Sequence, residues 1–302
     1  MNARYYCPCL TLFTETGAPD NSENNRLYDY LIANGIDGLL VLGSAGEFFA
    51  LDDGEKQQVI RNAVEHVRRR VPLIIGTGCL TAAETIRLSR EALAMGADGV
   101  MIVGPFYIDL EPRLIESYFD QVIAQIDGPV YLYNYPARTG HDLRLEVTAK
   151  LLSRHANIVG YKDSVPSVTH AVELIESLSP LYPDFEVFCG YDNNFASCVL
   201  SGGAGAIGAL SNVVPHLCSA WTQAFEAGNL SEVARVQRLF NRLMKIYDVA
   251  SPFIPVLKQI LVSRGIITSP YVRSPISRLS PAQEQQAREM VKLMEKLEPS
   301  GC

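Results

Sequence analysis

Lys162 lies near the end of Asn157-Ile158-Val159-Gly160-Tyr161-Lys162-Asp163-Ser164, which sets a primary amine at the close of a short apolar run. Upstream, Pro129-Val130-Tyr131-Leu132-Tyr133-Asn134-Tyr135-Pro136 is a second such run, and it ends in tyrosines. Burying an unpaired ammonium is costly and ordinarily lowers its pKa. Under that condition a lysine can attack a carbonyl as a neutral nucleophile. The alternative is a lysine at a strand terminus paired with Asp163. An amine accompanied by phenols suits carbonyl chemistry through an imine, with phenolic proton transfer.

Residues in such runs must be positioned by the elements around them, and the chain alternates short β-type runs with longer amphipathic stretches. Strands are predicted at 7–13, 38–42, 73–76, 99–103, 130–134, 158–162, 186–189 and 205–208. Helices are predicted near 23–34, 54–69, 81–95, 111–126, 144–154, 167–179, 192–201 and 214–227. Thr81 followed by Glu84 reads as a capping box, and Asp53 and Ser167 read as further caps. Ala33-Asn34-Gly35-Ile36-Asp37-Gly38-Leu39 is echoed by Ala94-Met95-Gly96-Ala97-Asp98-Gly99-Val100, each at a helix end before a strand. Glycine there fits the left-handed turn that closes a helix.

Eight such βα units predict an α/β protein with a closed (β/α)8 barrel, a TIM barrel, with a doubly wound sheet as the alternative. Past residue 228 the rhythm stops: 229–248, 253–263 and 281–297 read as three helices with no strand between them. The expected organisation is a catalytic barrel over 1–228 and a C-terminal helical extension over 229–302.

Composition excludes several classes. The 302 residues are 48% hydrophobic and 20% charged, ordinary for a chain with a sizeable core. A net charge of −7, with Arg68-Arg69-Arg70 as the longest basic run, argues against nucleic-acid binding. That triplet fits a helix end, favourably placed against the helix dipole. No apolar run reaches the length of a membrane span, and the N-terminus is too polar for a secretory signal. Seven cysteines without metal-ligand spacing read as buried free thiols, and the expected compartment is the cytosol.

In a (β/α)8 barrel, reacting groups gather at the carboxyl ends of the strands. Those ends carry Gly43-Ser44-Ala45-Gly46-Glu47, Pro105-Phe106-Tyr107, Tyr133 through Gly140, Lys162, Gly190-Tyr191-Asp192-Asn193 and Ile207-Gly208. With these motifs in order, nearly the whole chain resembles the dihydrodipicolinate synthase / N-acetylneuraminate lyase superfamily of class I, pyruvate-dependent aldolases. The resemblance implies that Lys162 forms the Schiff base with a 2-keto acid and that Tyr133 shuttles the proton of the aldehyde-derived oxygen. It implies that Ser44 links Tyr133 to Tyr107, the latter lent by a neighbouring subunit. The amides of the Ser44-Ala45 turn would hold the pyruvate carboxylate. Ala45, Gly46, Arg138, Gly190, Asp192 and Ile207 would line the substrate. No cofactor beyond the covalent lysine–pyruvate imine is implied, and the assembly would be a homotetramer built as a dimer of dimers. Two packing alternatives stand beside these roles: Tyr133 as a core aromatic and Tyr107 as a helix-entry contact.

Two departures bear on the substrate. Ala45 stands where the synthases usually have threonine, and Gly190-Tyr191-Asp192-Asn193 is similar to the lyase and 2-keto-3-deoxygluconate aldolase branches. There an aspartate contacts a polyhydroxylated tail through charge-assisted hydrogen bonds; the alternative for Asp192 is a helix N-cap. Arg138-Thr139-Gly140 instead resembles the synthase, where the arginine binds the carboxylate of aspartate semialdehyde. Phe48, Phe49 and Leu80 differ from the lysine feedback site, so inhibition by lysine is not expected. The expected activity is cleavage or synthesis of a 2-keto-3-deoxy sugar acid, with dihydrodipicolinate synthase as the alternative. Two other classes compete. Gly203-Ala204-Gly205-Ala206-Ile207-Gly208 matches the dinucleotide fingerprint of an NAD-dependent oxidoreductase. A regulator that binds a keto acid without turnover is the other.

Overall fold

A computed structural model describes residues 2–297. Eight parallel strands close a barrel in sequence order. They are β1 (Arg4–Pro8), β2 (Gly38–Val41), β3 (Leu73–Gly76), β4 (Gly99–Val103), β5 (Val130–Asn134), β6 (Ile158–Asp163), β7 (Glu186–Cys189) and β8 (Gly205–Ile207). Helices interleave with the strands, and Leu230–Leu243, Ile254–Ser263 and Pro281–Leu297 follow without a strand between them. The TIM-barrel reading with added C-terminal helices therefore holds. Among the described residues, no helix is long and apolar enough to cross a membrane.

The chain packs as two compact units. One comprises the residues up to Tyr6 with Pro72–Gly208, the other Cys7–Val71 with the residues from Ala209 onward. In the first, alternation along β1 places Arg4 and Tyr6 on one face and Tyr5 on the other. Tyr6 packs 5.3 Å from the Phe188 ring, and Phe188 lies 6.5 Å from Tyr131. The Arg4 guanidinium covers Phe188 at 5.6 Å and pairs with Glu186. These side chains fill the inner layer of strands β1, β5 and β7.

In the second unit the apolar run at 7–13 leaves the sheet after Pro8, which corrects the strand predicted there. Its backbone finds other partners: the Leu10 N–H donates to Asn212 Oδ1 at 3.2 Å and the Leu12 N–H to Asn24 Oδ1 at 3.0 Å. Buried amides must be satisfied, and side-chain amides do here what a neighbouring strand would do.

Helix boundaries are set by caps. Asp52, not Asp53, caps Asp53–Val67, and it forms the reciprocal capping box with Glu55. Thr81 accepts from the Glu84 N–H, but the Glu84 carboxylate takes the Thr81 hydroxyl rather than its backbone N–H. Ser167 stands at a cap position and bonds Thr169 instead. Gly35 and Gly96 both have positive φ, as the echoed segment required. Arg68 and Arg70 donate to the last carbonyls of their helix, at Glu65, Val67 and His66. Cys7, Cys9, Cys189 and Cys198 are buried free thiols, and Cys302 lies outside the described residues.

The second unit also buries an ion pair. Lys258, on Ile254–Ser263, lies 2.5 Å from Glu47, and neither side chain is exposed. Lys258 also donates to the Tyr271 carbonyl, and the Arg273 N–H donates to the other Glu47 oxygen. Burial pulls the Lys258 ammonium below its ordinary pKa, and Glu47 opposes that pull. Removing one partner strands a charge. Lys258→Met is therefore expected to cost roughly 3–5 kcal/mol in denaturant unfolding, and the paired change Glu47→Gln/Lys258→Met distinctly less. Equal losses in the two proteins would contradict this.

Candidate active site

Parallel pairing of β5 with β6 sets Tyr133 beside Lys162 and Asn134 beside Asp163. Two residues earlier in the register, a Cβ on Gly160 would stand 2.4 Å from the Tyr131 ring, so the glycine makes room for that tyrosine. Alternation then brings Lys162 onto the same face as Gly160. Lys162 is 5% exposed, and its nitrogen lies 4.5 Å from the centroid of the Tyr133 ring. Asp163 faces the other way: Asn134 donates to it at 3.1 Å, and His170 lies 3.1 Å from its second oxygen. The Lys162–Asp163 pairing considered from sequence therefore gives way to a network behind the strand.

Ser164 was not singled out by sequence reasoning. Its hydroxyl donates to the Tyr133 hydroxyl at 3.5 Å, the outer limit of a hydrogen bond. A Cβ on Gly190 would meet the Ser164 oxygen at 2.1 Å, so Gly190 is what lets β7 close on that serine. The signal was present in the period of two, because residue 164 shares a face with residue 162.

Beyond β5 the chain turns into a short helix, Pro136–Thr139, that the sequence reading did not anticipate. Tyr135 precedes it and stacks on Tyr133 with ring centroids 5.9 Å apart. Arg138, within it, brings its guanidinium 5.9 Å from the Tyr135 ring. Asp192 is fully buried and accepts the Tyr5 hydroxyl at 2.5 Å. Tyr5 sits on the outer face of β1 and packs on Phe195 at 5.2 Å, so this carboxylate is directed toward the helix layer. It does not cap Phe195–Leu200, whose N-cap is Asn194, and the cap reading is corrected.

Ile207 is buried in β8, paired with Tyr6. Tyr107 is 94% exposed on the loop after β4, with a positive φ of 82°. Gly205 lies in β8, and Gly208 leads into a 3-10 turn, Ala209–Asn212, with the next helix starting at Pro215. The glycine-rich segment therefore does not open a helix, and the dinucleotide-fingerprint reading falls. In the second unit, Ser44–Gly46 forms a 3-10 turn just after β2, closed by Glu47 in the left-handed region at φ 53°. Thr11 donates to the Gly46 carbonyl at 2.7 Å, and a Cβ on Gly46 would stand 3.0 Å from the Cys9 carbonyl oxygen. Ala45 is buried and Ser44 half-buried in this turn.

Residues 2–295 match the family model described as the dihydrodipicolinate synthetase family. The chain belongs to that family. It is accordingly a lyase, a pyruvate-dependent class I aldolase. Among curated relatives, an Escherichia coli K12 protein named "Putative 2-dehydro-3-deoxy-D-gluconate aldolase YagE" is 37% identical over 284 residues, 94% of each chain. A 4-hydroxy-tetrahydrodipicolinate synthase of Methanoculleus marisnigri is 34% identical over 261 residues, 86% of this chain and 88% of that one. Among solved structures, the crystal structure of YagE in complex with pyruvate superimposes with a TM-score of 0.93 at 36% identity, covering 98% of both chains.

Behind the lysine of this family member, a charged network ties the ends of β5 and β6 together. Asn134 donates to both Asp142 (2.8 Å) and Asp163, and its own oxygen accepts the Leu143 N–H. Tyr161 donates to the Leu143 carbonyl. His170, on Val168–Leu178, lies between the two carboxylates, 3.4 Å from Asp142 and 3.1 Å from Asp163. Burial alone would pull its imidazole down, yet bonding to Asp142 and Asp163 outweighs this and pushes it up to about 10. His170 in turn holds the Asp142 carboxyl below its ordinary range, with help from Asn134.

A folded-state pKa raised from 6.5 to about 10 gives stability that is complete below the lower value and gone above the upper one. Thermal melting of the wild type is therefore expected to fall more steeply between pH 7 and pH 10 than melting of His170→Gln. Parallel curves over that window would refute the charged imidazole.

Proposed function

We propose that this aldolase cleaves and forms 2-keto-3-deoxy sugar acids, of the 2-keto-3-deoxygluconate type, through an imine on Lys162. The observation that carries the reading is the buried Lys162 amine set 4.5 Å over the Tyr133 ring at the end of β6. Similarity to YagE supports the substrate class.

In the proposed cycle the neutral Lys162 amine adds to the 2-keto carbon, the Tyr133 phenol gives its proton to the carbinolamine hydroxyl so that water leaves, and a protonated imine beside a Tyr133 phenolate results. Tyr133 takes the proton of the C4 hydroxyl as the C3–C4 bond breaks. The bonding pair passes into the imine as an enamine, and the aldehyde departs. Protonation at C3 and hydrolysis return pyruvate and the free amine. A phenol relays this proton without adding fixed charge. Ser164, whose hydroxyl reaches the Tyr133 hydroxyl, would help to orient it. By family resemblance the Ser44-Ala45 amides take the keto-acid carboxylate, with Gly46, Gly190 and Ile207 as further contacts.

Arg138 favours a second reading. It is exposed, its guanidinium is the kind of group that binds a carboxylate in a planar fork, and synthases occur among the relatives. In that reading pyruvate condenses with aspartate semialdehyde. A panel offering 2-keto-3-deoxygluconate cleavage, aspartate semialdehyde plus pyruvate, and sialic acid separates the two.

Borohydride with pyruvate is expected to fix one pyruvate-derived adduct on Lys162, found by peptide mass spectrometry. Lys162→Ala should abolish it in a folded protein, and Tyr133→Phe should slow turnover about 10²–10⁴-fold. An unmodified wild type after that treatment would defeat the imine reading. The exposed Tyr107 supports exchange of this side chain between copies, and light scattering is expected to report a tetramer. A monomer at micromolar concentration would contradict that part.

A further inference from the structure

Among the described residues, the backbone N–H groups of Ser44 and Ala45, in the turn after β2, donate to no protein group. Ala45 is buried, and an N–H in such a place calls for an acceptor. The rest of the turn is tied down. The Gly46 N–H donates to the Gly43 carbonyl at 2.9 Å, and Thr11 donates to the Gly46 carbonyl at 2.7 Å.

The turn closes at Glu47, a non-glycine residue in the left-handed region at φ 53°. Such a conformation persists only where the surroundings hold it. Here the side chain is held at both oxygens. One oxygen takes the Lys258 ammonium at 2.5 Å, and the other accepts the Arg273 N–H at 3.1 Å. Lys258 is itself fixed by the Tyr271 carbonyl at 2.8 Å and by the face of the Phe13 ring at 4.6 Å. The Arg273 guanidinium, 5.6 Å from the same ring, pairs with Glu55 at 2.6 Å. All of these residues belong to the second compact unit. A buried ion pair is an inefficient source of stability, because desolvation offsets most of the attraction. What it supplies here is geometry: two bonds on two oxygens fix the plane of the Glu47 carboxylate, and with it the end of the turn.

We infer that Glu47 and Lys258 are positioning residues for keto-acid binding, locking the turn so that the Ser44 and Ala45 N–H groups stay aligned for the substrate carboxylate. The two side chains act through the backbone of the turn and not by contact with the substrate. The inference rests on the reading that these amides receive the keto-acid carboxylate. It gives the helix Ile254–Ser263 a part in affinity as well as in folding.

The test compares wild type, Lys258→Met, Glu47→Gln/Lys258→Met and Leu243→Ala, the last a cavity in the buried face of Leu230–Leu243. Pyruvate affinity is measured twice on folded protein, by calorimetric titration and as the concentration giving half-maximal borohydride trapping. The double variant loses both charges at nearly constant volume. It is expected to bind pyruvate about tenfold or more weakly by both measures, with a maximal trapping rate within about threefold of wild type. Leu243→Ala should be less stable yet keep both midpoints within about twofold. A merely structural role predicts the opposite order, with affinity following stability. A double variant within twofold of wild type in affinity overturns the inference, as does Leu243→Ala weakened as much as the double variant. If Lys258→Met or the double variant does not fold, Glu47→Gln, which keeps the size of the side chain and drops its charge, carries the same comparison. A wild type that binds pyruvate in the calorimeter and is never trapped overturns the imine reading alone, and the calorimetric comparison still judges the turn. A wild type that binds pyruvate by neither measure overturns both.

Discussion

The placement of a lysine nitrogen over a tyrosine ring on the neighbouring strand is the constraint on which the rest of the site depends. Both side chains come from the last turn of pleat before their strands end, and the parallel register fixes them at one level. An ammonium is attracted to the face of an aromatic ring, while a neutral amine in the same place is free to add to a carbonyl. In the imine cycle proposed above, this geometry would serve both protonation states of the amine. It survives only while β5 and β6 keep their register. Slippage by one residue would send Lys162 toward the helices and bring Asp163 inward.

Two charged assemblies hold the surroundings in place, each inside its own compact unit. Asn134, Asp142, Asp163 and His170 brace the ends of β5 and β6 from behind. Glu47 and Lys258 join the turn after β2 to the C-terminal helix Ile254–Ser263. Buried charges are costly, and both assemblies meet that cost by pairing and hydrogen bonding. The helix Ile254–Ser263 thus contributes the cation that pairs with Glu47 at the end of the turn.

Much of this was legible in the sequence, because strands with a period of two and helices with clear boundaries report themselves. Lys162 at the end of an apolar run and Gly35 and Gly96 at helix ends are local signals, and local signals survive translation into structure. Long-range pairing does not report itself: Glu47 and Lys258 are 211 residues apart, and neither residue type announces burial. The run at 7–13 misled for a related reason. Its apolar character is real, but side-chain amides from Asn24 and Asn212 take its backbone, and no local pattern encodes that. The hydrogen bond between Asp192 and Tyr5 is likewise long-range, joining residues 187 apart, and no local pattern announces it. Ser164 and the helix at Pro136 were within reach of sequence reasoning, one through alternation and the other through proline at a helix start.

The most direct test is a crystal structure determined after soaking with pyruvate. The account requires continuous density from the Lys162 nitrogen to the second carbon of the ligand, with the Tyr133 hydroxyl facing the reacting end. Pyruvate bound without a bond to Lys162, or joined to another side chain, would contradict it.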